Sequence, residues 1–481
     1  MNHRMIYFTT GSVLITEAAL LLLPLLVSII YRETCAWAFL ITIGITLAVG
    51  GLICLTMRPK DRTLFSKEGL VIVALAWIAV SFFGALPFVI SREIPVFIDA
   101  FFETVSGFTT TGATILDNVE IMSHGLLFWR SFTHWIGGMG VLVFVMAVTV
   151  RVPERSIHIL RAEMPGPIVD KLVPRARTTA MILYIIYIAM TALEVIFLLA
   201  GGMPFFDSLV HSFGTAGTGG FGIRNGSIAS YSPYLQWVIA VFMFLFAINF
   251  NLYYLMLLRK FSSALRSTEL WVYISIMLGA TGLICYNIFS LCSGFAEALR
   301  LSFFQASSIM TTTGYTTANI SLWPTLSKAI LLTLMLIGGC AGSTAGGFKV
   351  SRVVILFKSL VGRLRRVLHP RTVTVVKMEG KRIDDDTLSG VHSYLALCTL
   401  STVLVFLLLC LEKDSVFTIE TNLSAAITCF NNIGPLFSLT LSSFSAYSGF
   451  SKFVLSVAML LGRLEIYPLL LTCLPSTWLK K

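Results

Sequence analysis

Apolar runs long enough to cross a bilayer recur from one end of the chain to the other, and they leave few options for its fold. The hydrocarbon core of a membrane is matched by about 20 apolar residues in a helix. Inside it only helices and closed barrels satisfy their backbone polar groups. The composition agrees: 12% of the 481 residues are charged, against about 25% in soluble domains. The runs fall at 6–31, 36–57, 68–91, 125–150, 178–201, 234–258, 270–290, from Trp323 onward, 389–411 and 451–474. The reading is an all-α polytopic membrane protein with about ten spans. The first run is too long for a signal-peptide core and lacks a clear small-residue cleavage site, so it reads as a retained span.

The net charge of +11 is placed by the same picture. Its basic residues sit in short loops: Arg58-Pro59-Lys60-Asp61-Arg62; Arg151, Arg155, Arg161, Lys171, Arg175 and Arg177; Arg259, Lys260 and Arg266; and Lys349 to Arg371. The alternating loops are poor in Lys and Arg, which is the positive-inside pattern and not a nucleic-acid surface. It places both termini in the cytoplasm. Nine cysteines without paired spacing and seven scattered histidines give no disulfide framework and no metal site. His134 and His211 read as packing or interface groups. Trp129, Trp135, Trp237, Trp271 and Trp323 lie near span ends, as an interfacial belt would. No activated nucleophile, nucleotide loop or soluble catalytic domain is present in the sequence, so no enzyme activity and no cofactor is expected.

Four short apolar segments, at 97–108, 204–216, 296–311 and 415–431, are too short to cross. Each ends in a Gly-centred turn: Thr109-Thr110-Thr111-Gly112-Ala113-Thr114, Gly217-Thr218-Gly219-Gly220-Phe221, Thr312-Thr313-Gly314-Tyr315-Thr316 and Asn432-Ile433-Gly434-Pro435. Each turn lies between two spans with the same orientation. The chain therefore divides into two extra N-terminal spans (1–62) and four parallel span–half-helix–span repeats around a central pore (63–150, 151–265, 266–372 and 373–481). A single such turn is an ordinary extracellular turn. Four in register form a ring of backbone carbonyls able to replace the hydration shell of a monovalent cation. Asp99, Asp207 and Glu420 near the segment starts suit the positive ends of such helices.

The run Gly338-Gly339-Cys340-Ala341-Gly342-Ser343-Thr344-Ala345-Gly346-Gly347 interrupts an apolar span, and its glycines disfavour helix. It reads as a movable barrier below the ring, or as small residues packed tightly between helices. It is not a phosphate loop, because Phe348 follows Gly347. Arg463 and Glu465 lie in the last apolar run, where charges are costly. Either Arg463 contacts the barrier or repels cations at the inner mouth, or the two satisfy polar groups in the bundle. Lys349 is expected to reach the cytoplasmic surface. Three functions compete: cation conduction, sodium- or proton-coupled cation transport, and a non-conducting scaffold.

These turns, with Trp129-Arg130-Ser131, Gly137-Gly138-Met139-Gly140, Ala247-Ile248-Asn249-Phe250-Asn251, the Gly338–Gly347 run and Gly462-Arg463-Leu464-Glu465, resemble the Trk/Ktr/HKT superfamily of potassium transporters. The two leading spans match its bacterial Trk-type branch. The resemblance implies potassium uptake across the bacterial inner membrane. Gly112, Gly219, Gly314 and Gly434 would be the filter glycines, with Thr110, Thr111, Gly217, Thr218, Thr312, Thr313, Asn432 and Ile433 as ion-facing positions. Glycine at the first filter position implies selection of potassium over sodium. One departure is Gly217, where the pattern calls for a hydroxyl residue. Gly338, Gly339, Gly342, Ser343, Thr344, Gly346 and Gly347 would form the gate, with Arg463 beside it. The resemblance further implies a homodimer and a cytosolic nucleotide-binding ring partner.

Overall fold

The computed structural model describes residues 1–59, 65–140, 176–372, 375–438 and 440–478. Lys60, Asp61 and Arg62, the second half of the expected 125–150 span, and the basic residues from Arg151 to Arg175 lie outside the described residues, as does the Arg177 side chain. Among the described residues, six helical segments are long and apolar enough to cross a membrane. Two are the leading spans, His3–Ile30 and Ala36–Thr56; the other four open the repeats at Ser66–Ile90, Thr178–Ala200, Thr268–Leu291 and Asp385–Leu409.

In chain order the elements are α1 (His3–Leu20), α2 (Leu22–Ile30) and α3 (Ala36–Thr56); α4 (Ser66–Gly84), α5 (Phe97–Phe108) and α6 (His124–Gly138) in the first repeat; α7 (Ala176–Ala200), α8 (Phe205–Ala216), α9 (Pro233–Phe246) and α10 (Phe250–Leu257) in the second. The third has α11 (Thr268–Ile288), α12 (Phe295–Met310), α13 (Thr325–Ile337) and α14 (Val350–Leu368). A two-residue hairpin, β1 (Lys377–Met378) against β2 (Lys381–Arg382), precedes α15 (Asp385–Leu409), α16 (Ile419–Phe430), α17 (Gly449–Arg463) and α18 (Tyr467–Cys473). Short helical turns join several of them.

The second helix of each repeat departs from the continuous span that hydropathy implies. α6 stops at Gly138; α9 and α10 meet at 89° across Ala247-Ile248-Asn249; α13 and α14 are separated by residues 338–349; α17 and α18 are separated by Leu464-Glu465-Ile466. The sequence marks the third break with a run of small residues. The others hide because hydropathy averages side-chain composition and is blind to backbone direction.

Each half-helix, α5, α8, α12 and α16, carries an acid in its first turn: Asp99, Asp207, Glu297 and Glu420. Asp99 also binds the Lys452 ammonium of α17 at 2.7 Å, tying the first repeat to the fourth. The tryptophans divide. Trp129 is fully buried and donates its indole N–H to the Gly84 carbonyl at 3.0 Å. Trp323 is buried as well, and Trp271 is exposed. A belt therefore describes only part of the set.

α1 and α3 cross where two glycines meet: a Cβ on Gly50 would sit 2.9 Å from the Gly11 carbonyl oxygen, whereas one on Gly44 of the same helix meets nothing within 4 Å. Small residues let helix backbones approach in a membrane, where packing supplies much of the association. Gly50→Val should destabilise the detergent-solubilised protein by about 1–3 kcal/mol through overpacking. Gly44→Val should leave it unchanged. Thermal unfolding followed by monodisperse elution reads both.

Candidate cation pathway

The four Gly-centred turns are built alike. In each, the chain leaves a half-helix through a residue with left-handed φ: Thr110 (55°), Thr218 (54°), Thr312 (58°) and Asn432 (55°). The next residue donates its N–H back across the helix end: Thr111 to Ser106 at 2.9 Å, Gly219 to Gly214 at 2.8 Å, Thr313 to Ser308 at 2.9 Å and Ile433 to Thr428 at 2.9 Å. This is a Schellman-type helix end, a place where glycine is usual. Here three are Thr, a β-branched residue for which left-handed φ is costly. Such strain clusters at functional sites. The following glycine again has positive φ: Gly112, Gly220, Gly314 and Gly434.

This alignment corrects the register of the second turn. Gly220, not Gly219, is the counterpart of Gly112, Gly314 and Gly434. Thr218 is the counterpart of Thr110, and Gly219 that of Thr111. Gly217 caps α8 in right-handed conformation and packs against His134. The missing hydroxyl at Gly217 is therefore a matter of register and not a departure. The string Gly-Thr-Gly-Gly admits both alignments by residue type; only the backbone separates them.

The four turns close a ring. A Cβ on Gly112 would overlap the Gly219 carbonyl oxygen, one on Gly220 the Thr313 oxygen, and one on Gly314 the Ile433 oxygen; one on Gly434 would lie 2.6 Å from the Thr111 oxygen. Each repeat thus presses its glycine on the preceding carbonyl of the next, in the order one, two, three, four, one. The ring is narrow: the same Cβ on Gly112 would lie 3.7 Å from the Thr313 oxygen of the opposite repeat. The outer loops keep the cyclic order. Val119 N–H donates to Asn225 at 2.9 Å, Ile228 N–H to Thr316 at 3.0 Å, Ser321 Oγ to the Ser438 carbonyl at 2.9 Å and Phe444 N–H to Thr114 at 2.8 Å.

Hydroxyls and charges brace the ring from the side. Thr109 and Thr111 share a hydrogen bond at 2.8 Å, Thr311 and Thr313 one at 2.7 Å, and Asn432 donates to Thr111 at 2.9 Å. Glu103, on α5, pairs with Arg130 of α6, and both are buried. The Glu103 carboxylate also accepts from the Thr114 hydroxyl and Ile115 N–H, while Arg130 donates to the Gly222 carbonyl at 2.9 Å. His134 is fully buried, hydrogen-bonded to the Gly107 carbonyl at 2.8 Å, as a packing group. Thr110 Oγ1 is buried without a hydrogen-bond partner among the described residues.

Outside the ring lies a cavity of about 340 Å³ lined by residues of all four turns, with Asp117 and Arg224 at its walls. On the other side lies the 338–349 loop. It touches the ring directly: Gly346 N–H donates to Thr312 Oγ1 at 2.6 Å. Gly338, Gly342, Gly347 and Lys349 have positive φ. Gly339 accepts from Val350 N–H at 3.0 Å, Ser343 Oγ donates to the Cys340 carbonyl at 2.6 Å, and Thr344 Oγ1 donates to the Phe246 carbonyl at 3.2 Å. Arg463, ending α17, donates to the Thr344 carbonyl at 3.0 Å and to Gly137 and Gly138 at 2.6 and 2.7 Å. It joins the loop to the end of α6. A cavity of about 40 Å³, water-sized, remains beneath the ring, with Lys349, Arg463 and Glu465 in its wall.

Several groups here were not legible beforehand. Glu269, which opens α11, is buried and accepts from Ala341 N–H at 2.7 Å and Ser351 N–H at 3.1 Å, pinning both ends of the loop. Lys349 does not reach the surface. It is buried and donates to the Ala345 carbonyl. Glu465 lies beyond the end of α17, with left-handed φ, and pairs with Arg352. Nothing in their spacing signals these roles, since partners such as Glu269 and Ala341 are far apart in the chain.

Comparison with known proteins adds the family. A family model described as a cation transport protein, TrkH, matches residues 36–283 and 292–480. The Trk system potassium uptake protein TrkH of Salmonella typhimurium is 34% identical over 491 residues, covering 99% of this chain and 100% of that protein. The Trk system potassium uptake protein TrkG of Escherichia coli K12 is 35% identical over 457 residues, covering 93% of each. The crystal structure of the potassium transporter TrkH from Vibrio parahaemolyticus superimposes with a TM-score of 0.89 at 30% identity, covering 100% of both chains. With similarity in sequence and in backbone running from end to end, this multi-pass membrane protein belongs to the TrkH family of cation transport proteins.

Proposed function

We propose that this protein takes up potassium across a bacterial cytoplasmic membrane through the ring of four turns. The observation that carries the reading is the closed cycle in which each turn glycine packs on its neighbour's carbonyl. Such a ring offers an alkali cation oxygen ligands in place of its water. The filter is then Thr110-Thr111-Gly112, Thr218-Gly219-Gly220, Thr312-Thr313-Gly314 and Asn432-Ile433-Gly434. The names of the Salmonella and Escherichia relatives, which are potassium uptake proteins, support this choice of ion.

Gly338 to Gly347 is the gate and Arg463 its latch. The loop lies between the ring and the water-sized cavity, and its hydrogen bonds to Thr312, Phe246 and Arg463 hold it there. Both termini face the cytoplasm, on the side of the basic loops. A second copy of the chain and a cytosolic nucleotide-binding ring subunit complete the assembly; the relatives are named as parts of a Trk system. The buried carboxylates Glu17 and Glu194 line neither the outer cavity nor the one beneath the ring, so they lend no support to ion coupling.

Gly314→Ser places a Cβ against the Ile433 oxygen at a position of positive φ. It should lower potassium uptake by on the order of tenfold for each 1.4 kcal/mol of coordination lost. Growth of an uptake-deficient bacterium at low potassium reads this, and unchanged growth removes the filter assignment. Arg463→Gln weakens charge-assisted hydrogen bonds that typically contribute about 1.5–3 kcal/mol each. Removing residues 342–346 shortens the barrier outright. Both should raise rubidium flux into proteoliposomes in the absence of any cytosolic partner, and unchanged flux removes the gate.

A further inference from the structure

Beyond the loop, α14 changes character along its length. Phe357, Leu360, Leu364 and Val367 recur at helical spacing and are all exposed, beside Lys358, Arg363 and Arg365. An exposed apolar stripe flanked by cations is the pattern of a helix lying at the membrane–water boundary. Two cavities flank it and meet at Phe357. One, of about 600 Å³, is a groove walled by α13, α14 and α15, with Leu336, Val353, Leu395 and Val403 among its sides and Gly347 also in its lining. The other, of about 690 Å³, lies between α14 and the segment that leads into β1; its charged and titratable lining among the described residues is Lys358, Arg365, His369 and Lys377, with no acid. Lys358 is oriented by donating to the Lys377 carbonyl at 3.0 Å.

We propose that an anionic phospholipid occupies this pair of cavities, its phosphate among Lys358, Arg365 and Lys377 and an acyl chain in the groove. The charge pattern selects this occupant. A second copy of the chain seated across the same face would bring its own cations against these. A soluble anion would leave the apolar groove open to water. An amphiphile with one negative end satisfies both halves, and basic residues at the membrane surface attract anionic lipid. The acyl chain would touch Gly347, the last residue of the small-residue run, which lines the groove. Binding itself does not depend on that loop being a gate.

The full-length protein in neutral detergent is titrated with phosphatidylglycerol, with phosphatidylcholine of the same acyl chains, and with glycerophosphoglycerol, and adducts are counted by native mass spectrometry. The expected result is retention of phosphatidylglycerol about tenfold above phosphatidylcholine. Lys358→Gln/Arg365→Gln, a half-buried and an exposed position of α14, should abolish that preference, with elution profile unchanged. Val403→Trp, which fills the groove, should reduce retention of both lipids. Equal retention of the two lipids, or an unchanged preference in the double variant, overturns the proposal. Glycerophosphoglycerol binding as well as the intact lipid makes this a free-anion site, and a lipid-free dimer blocked by Val403→Trp makes it a subunit interface; either overturns it too.

Discussion

Four glycine Cα atoms and four carbonyl oxygens in mutual contact hold the centre of this molecule together. The contact between Gly112 and the Gly219 oxygen, and its three counterparts, leaves no room for a Cβ at any of the four glycines. It also sets how far every half-helix reaches, because each turn hangs from the C-terminal end of one. The cost is carried locally. Three β-branched residues, Thr110, Thr218 and Thr312, sit in left-handed conformation, at about 1–3 kcal/mol each. The hydrogen bonds that close each helix end and the hydroxyl pairs alongside offset it.

A membrane makes such an arrangement demanding, since backbone groups out of regular structure have no bulk water to bind. The broken helices answer that demand. Where α13 gives way to the 338–349 loop, its polar groups find partners in its own repeat and in the second: Ala341 and Ser351 N–H on Glu269 of α11, Cys340 N–H on the Ala247 carbonyl, and Phe250 N–H on the Gly342 carbonyl. Arg463 performs the same service for carbonyls, taking up Thr344, Gly137 and Gly138 at once. A half-buried guanidinium suits several carbonyls at once, because its five donors form a rigid fork. The breaks in different repeats thus satisfy one another, and none of them is independent. Ion pairs extend the same logic outward, with Glu103 and Arg130 behind the first turn and Arg352 and Glu465 behind the loop. Breaking such a pair from one side leaves a buried charge exposed to apolar surroundings.

The class of fold, the two leading spans, the half-helices and the four turns were legible because each is a local property of composition or spacing. Asp99, Asp207 and Glu420 marked three half-helix starts for the same reason; Glu297 does so in the fourth and is equally local. Other features resisted. The second turn offers Gly217, Gly219 and Gly220 around one Thr, and residue type alone cannot choose the register. The breaks at Ala247 to Asn249 and at Leu464 to Ile466 are only three residues long, too short for one Asn or one Glu to end an apolar run. Lys349 reads as a surface cation and is buried, because a long side chain near a span end follows whatever polar group lies closest, here the Ala345 carbonyl.

By itself, then, the sequence determined that this chain crosses a membrane many times and carries four equivalent devices, since hydrophobic length and glycine placement act within a few residues. Tertiary structure alone decided which carbonyl each glycine meets, where the helices break, and how Arg463 and Glu269 hold the loop. Those outcomes depend on contacts between segments hundreds of residues apart in the chain, as with Arg463 and Gly137, and short-range sequence pattern carries no record of such pairings.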